Sequence, residues 1–128
     1  MLLQGRVDKV GGVGDFRRRM TKFPEAFARA AGEKLFPGTL NVDVKRKIPV
    51  MEHFRIRGIE INEPEQDLLF EVCRINGIWA YRIRPLNLVD GRGGHGDHIL
   101  EIACAQEIPD VPHGSIVEIA LFRDDIDL

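Results

Sequence analysis

Apolar positions change period several times along this chain, and each change marks an element. Gln4–Val10 alternates around Val7, the two-residue period of a strand with one buried face. It runs into GGVG, whose glycines reach backbone angles closed to other residues. The period then lengthens. In FPEAFARAAGEK, Phe23, Phe27 and Ala30 or Ala31 fall on one helical face, Pro24 suits a first turn and Gly32 a C-terminal cap. After FPG, TLNVDV alternates, and FRIRGIEI (54–61) alternates again with Gly58 as a candidate bulge. DLLFEVCRI and IWAYRIR flank Asn76-Gly77, which predicts a hairpin closed by a type I′ turn, and Pro85 ends its second arm. GRGGHGDH leads into ILEIACA, and HGSIVEIALF supplies a last strand. Many short strands with one short helix predict a mostly β fold, a small closed barrel rather than a parallel α/β sheet. With no repeat or linker-like segment, residues 1–128 read as a single domain.

Composition narrows the class only a little. At 128 residues, with 44% hydrophobic and 30% charged, the chain can bury one core without staples. Cys73 and Cys104 lack CxxC spacing, so neither a disulfide framework nor a zinc knuckle is indicated. The apolar run at the N-terminus is too short for a signal peptide and no stretch approaches membrane-spanning length, so the expectation is a cytoplasmic protein without a membrane partner.

Charge adds more. The formal net charge is −2, but residues 1–34 hold eight Lys/Arg against four acids, and residues 97–128 hold Arg123 alone against eight acids. A basic front end suits a phosphate-bearing ligand, and it equally suits a solvated surface. Aromatic residues are not interleaved with the basic ones, so no nucleic-acid partner is expected. The acidic DDIDL reads as a frayed end.

Three stretches carry candidate chemistry. VGGVGDFRRR offers a glycine loop after a strand, able to bring backbone N–H groups to a phosphate, with Arg17–Arg19 supplying charge. It is neither a P-loop nor a Rossmann fingerprint, and a plain turn explains it equally. In FPGTLNV, Thr39 and Asn41 stand two apart and so share one side of an extended chain. Two neutral oxygen ligands suit Mg²⁺, which completes its octahedron with water and substrate phosphates. The alternative is that both side chains satisfy turn backbone. In GGHGDHILEI, His95, Asp97 and His98 are able to bind a metal, with Cys104 further along, and Glu101 is either a solvent-face residue or an acceptor for a ligand hydroxyl.

Phe23, Phe27, Gly32, Phe36, Gly38, Thr39, Leu40 and Asn41, in that order, resemble the archaeal-type CTP-dependent riboflavin kinases, in which an aromatic–x3–Phe helix and a glycine lead into a Gly-Thr-Leu-Asn run. GGVGD is similar to that family's glycine loop, and ILEIA and GSIVEI are similar to its last two strands. The resemblance implies a six-stranded cradle-loop barrel that transfers the γ-phosphate of CTP to riboflavin, giving FMN and CDP. It implies Mg²⁺ on Thr39 and Asn41, and nucleotide contacts from Gly12, Val13 and Gly14 with Asp15 and Arg17 beside them. It further implies an acceptor side at Glu101, with His95 and His98 in the adjoining loop. The chain departs from the family in three places. Phe16 replaces a further glycine, GGHGDH replaces a Ser-rich loop, and Ala105-Gln106-Glu107 replaces a Leu-Arg-Glu segment. Two other readings are carried forward: a non-catalytic module binding a nucleotide or small phosphorylated ligand, and a zinc hydrolase built on His95 and His98.

Overall fold

A computed structural model describes residues 1–9, 15–86, 96–107 and 111–123. Its strands are β1 (Leu2–Val7), β2 (Leu40–Asp43), β3 (Phe54–Ile56), β4 (Leu68–Ile75), β5 (Ile78–Pro85), β6 (Ile99–Ala103) and β7 (Ile116–Leu121). They run in the order β4-β5-β6-β2-β1-β7, and β7 returns to β4, closing a six-stranded antiparallel barrel with β3 as an extra strand. Along one edge of β4, Leu68–Phe70 pair with β3 and Cys73–Ile75 pair with β7. Closure removes the long unpaired edges that an open sheet of this size would expose.

The β4–β5 hairpin turns at Asn76 and Gly77, whose φ values of 48° and 80° are those a type I′ turn requires. The Asn76 side-chain oxygen also accepts the Glu118 N–H at 2.8 Å, fastening the turn to β7. Leu3, Val7, Val42, Ile75, Leu100, Ile102, Val117 and Ile119 fill one end of the barrel. Along the inward face of the hairpin the filling then becomes charged, with Glu71, Arg82 and Arg84 almost wholly buried.

Two helices, rather than one, pack on the outer face of the barrel. The expected helix is present as α2 (Pro24–Ala31), ending at Gly32, whose φ is 78° and whose N–H reaches the Ala28 carbonyl. Before it, α1 (Asp15–Lys22) occupies residues that read as an arginine-bearing loop. Phe16 and Met20, four residues apart, turn one face of α1 inward, while Arg17 and Arg18 stay exposed. This second core joins Phe16, Met20 and Phe27 to Phe70, Tyr81 and Ile83 of β4 and β5. Arg19 grips Glu63 with two hydrogen bonds of 2.7 and 2.8 Å, tying α1 to the segment after β3.

FRIRGIEI is extended only to Ile56, and a 3₁₀ turn spans Gly58–Ile61. Gly58 is not a bulge: a Cβ there would run into the Glu63 carbonyl oxygen, so glycine permits the close return of the chain. Among the described residues no helix is long and apolar enough to cross a membrane. The DDIDL tail lies outside the described residues.

Candidate functional site

At one mouth of the barrel, where β1 and β6 end and β2 and β7 begin, lies a cleft of about 400 Å³. That volume is in the range of small-molecule sites. Leu40, Cys104 and Val111 form an apolar floor continuous with the barrel core. The walls are polar and mixed in charge, with Lys9, Arg17 and Thr39 as well as Gln106 and Glu107. Phe36, 37% exposed, adds an aromatic wall, and its N–H donates to the Cys104 carbonyl beside the end of β6.

Local packing explains why Thr39 stands on that wall. Gly38 has φ 119°, a conformation open to glycine and strained for other residues. Its N–H points to the Met20 sulfur at 3.3 Å. A Cβ on Gly38 would stand 3.6 Å from Arg17 Nε, so the guanidinium lies against the glycine. One residue of α1 therefore anchors the Pro-Gly turn from the second core, and another brings a cation to the turn's surface. On the opposite side, the Lys9 N–H donates to His113 Nδ1 at 3.1 Å, holding the end of β1 against the chain that enters β7.

Asn41 points away from the barrel core that its neighbours Leu40 and Val42 face, and Thr39 immediately precedes β2. They differ in setting. Thr39 is on the cleft wall, whereas Asn41 is only 7% exposed and does not line the cleft. Directly opposite Asn41 on β6 is Glu101. Such partners hold their Cβ atoms about 5 Å apart. The facing pair Asn41 and Glu101, with Thr39 just before β2, supply amide, carboxylate and hydroxyl oxygens on neighbouring segments. These are hard donors of the kind Mg²⁺ takes. The acceptor-side role expected of Glu101 therefore falls beside the expected metal pair.

The remaining expected residues divide. Arg17 lines the cleft. Asp15 is the first residue of α1. Gly12, Val13, Gly14 and His95 lie outside the described residues. His98 stands near Asp43 at the far end of β2. There burial raises the Asp43 carboxyl, but the Lys45 N–H and ammonium, with His98 as a weaker positive neighbour, outweigh it and leave the group below its ordinary value. Asp97 pairs with Arg84 at 3.1 Å. Cys104 is 3% exposed, and burial, with the Glu33 carboxylate adding, pushes its thiol up to about 11. Asp97, His98 and Cys104 thus have separate settings, and among the described residues no three His, Cys, Asp or Glu side chains stand together as a metal group. His95, on which the zinc-hydrolase reading also rests, lies outside the described residues.

Lys9, Phe36, Gln106 and Glu107, which give the cleft its charged and aromatic walls, were not among the candidate site residues. Their signal was positional, since Lys9 follows β1 and Gln106-Glu107 follow β6, two strands that end at the same rim. Neither a protein-family model nor a curated protein matches the chain.

Proposed function

We propose that the protein is a Mg²⁺-dependent phosphotransferase resembling the CTP-dependent riboflavin kinases, moving the γ-phosphoryl group of a nucleoside triphosphate, CTP, to riboflavin. The observation that carries this reading is the Gly38–Asn41 strip. It presents Thr39 to a cleft that also holds Lys9 and Arg17, with Asn41 facing Glu101 on the next strand. In-line phosphoryl transfer asks mainly for positioning and charge neutralisation, so a site with few ionisable groups suffices. Lys9 and Arg17 supply positive charge for a polyphosphate. Thr39 and Asn41 would hold the metal, with Glu101 close enough to complete the donor set or to orient the acceptor hydroxyl. The Mg²⁺ that Thr39 and Asn41 would hold supplies positive charge to offset that of the phosphates.

The test is direct. Purified protein is incubated with riboflavin, Mg²⁺ and each common nucleoside triphosphate, and FMN is followed by chromatography. FMN formation that stops with EDTA is expected, and its absence with every nucleotide refutes the kinase reading. Thr39→Ala with Asn41→Ala should lower metal-dependent turnover by an order of magnitude or more, while circular dichroism shows the fold retained. Turnover unchanged in that variant removes the metal assignment. A nucleotide that raises the melting temperature without FMN forming would instead identify a binding module on the same barrel.

A further inference from the structure

Among the described residues, the helices pack on the outer face of β3 to β6 but not on that of β1, β7 and the tip of the β4–β5 hairpin. This bare face is unusually rich in large apolar groups. Leu2 is 65% exposed, Ile116 59%, Trp79 52% and Phe122 45%. The strand register shows that they are not scattered. Leu2, Ala120, Arg74 and Trp79 are successive cross-strand partners on β1, β7, β4 and β5, forming one row across four strands. Phe122 extends the row: its ring stacks on Trp79 at 5.2 Å and 21°. The Arg74 guanidinium lies 4.2 Å from the Trp79 ring and 5.7 Å from that of Phe122.

A Trp–Phe–Arg cluster at this exposure is the composition of an interface centre, where Trp and Arg carry much of the energy. Single exposed apolar residues need no partner, but a contiguous patch marks one. The charges of the face indicate which partner. One row along from Arg74 and Ala120, the exposed Glu118 pairs with Gln4, and one row further Ile116 pairs with Arg6. The face therefore carries cation and anion side by side and an apolar group at either end of β7. A nucleic acid or a strongly acidic protein would meet Glu118. A second copy of the chain meets its own complement.

We propose that this face is a two-fold homodimer interface. A two-fold axis crossing β7 between Glu118 and Ala120 lays Phe122 on the Ile116 of the second copy. It also brings Arg74 towards the second copy's Glu118, and every contact occurs twice, as an isologous interface requires. None of the residues named for this face lines the cleft, so the inference stands or falls independently of the kinase reading.

Sedimentation velocity across the micromolar range tests it. Wild-type protein should pass from monomer to dimer and stop there. Trp79 is the chain's one tryptophan, so its emission should shift to the blue over the same range. Arg74→Glu and Glu118→Arg should each weaken dimerisation by at least about tenfold, since like charges then meet twice. The double variant, with the charges exchanged, should recover most of it. All three replace exposed side chains, and circular dichroism confirms the fold. A wild type that stays monomeric, association that grows beyond the dimer, or a charge exchange that fails to restore what the single variants lose would overturn the proposal.

Discussion

Glu71→Gln removes one charge from the barrel interior and leaves its shape unchanged. Glu71 and Arg82 are both fully buried, directly paired across β4 and β5, with Arg82 Nη1 3.3 Å from Glu71 Oε1. The carboxylate has further partners. Arg123 donates to both its oxygens at 2.7 Å, and the Met51 N–H reaches Oε1 at 3.1 Å. The two arginines in turn donate to the Ile48 and Pro49 carbonyls. One carboxylate therefore fastens the 48–51 segment and the residue after Phe122 to the inside of the barrel. A glutamine keeps an acceptor oxygen but leaves two guanidinium groups without counter-charge. Arg123 is 13% exposed at its side chain and recovers part of its hydration, whereas Arg82 is 0% exposed and recovers none.

Removing one partner of a buried pair costs about 3–5 kcal/mol. The exposed edge of Arg123 places the expected loss at the lower end of that range. With a urea slope of about 2 kcal/mol/M, the denaturation midpoint falls by roughly 1.5 M. Urea titrations followed by circular dichroism and by Trp79 emission measure it. The companion variant Glu71→Leu with Arg82→Met replaces the pair by apolar groups of similar length. It should cost less than Glu71→Gln alone, because it removes Arg82, the wholly buried cation that the single variant leaves unpaired. A Glu71→Gln stability within about 0.5 kcal/mol of wild type would refute the reasoning, and so would a double variant less stable than the single.

The acid limb of stability should come from carboxylates on the helical side. A hydrogen bond from Arg19 holds Glu63 below its ordinary range, and the Gly58 N–H, with help from Arg55, does the same for Asp67. A depressed folded-state value means that this stability is present above the unfolded-state pKa and lost as pH falls through the folded one. Urea midpoints should therefore stay level from neutral pH to about 5 and decline below about 4. Glu63→Gln should flatten part of that decline, and an unchanged acid profile would count against the assignment. Thiol chemistry gives another prediction. Burial lifts the Cys73 and Cys104 thiols to about 12 and about 11, so both stay protonated and enclosed at neutral pH. Ellman's reagent should find almost no thiol in the native protein and two in denaturant, although Cys104 floors the cleft. Prompt native labelling of Cys104 would mean that the floor opens to solvent.

What the sequence discloses depends on how far apart the interacting residues lie. The hairpin was legible because Asn76-Gly77 sets both the turn and the register. Counting outward from it, Ile75–Ile78, Arg74–Trp79, Cys73–Ala80, Val72–Tyr81 and Glu71–Arg82 pair in sequence. Side chains alternate, so Glu71 and Arg82 fall on the face of Cys73, Ala80, Ile75 and Ile78. A buried ion pair was therefore implicit in a pattern that reads, residue by residue, as two ordinary apolar arms. α1 was hidden for a different reason. Its apolar stripe is only Phe16 and Met20 within a run of arginines, too short a signal until the second core supplies the partners that bury it. The nearness of Thr39 and Asn41 is local geometry and was legible. That Glu101 stands opposite Asn41 was not, because fifty-five residues separate β2 from β6 and only barrel closure fixes that pairing. Local spacing could nominate a pair of metal-binding oxygens. The carboxylate that gives such a pair negative charge comes from a strand whose register no local motif encodes, so the strip that carries the proposed chemistry exists only once the barrel closes.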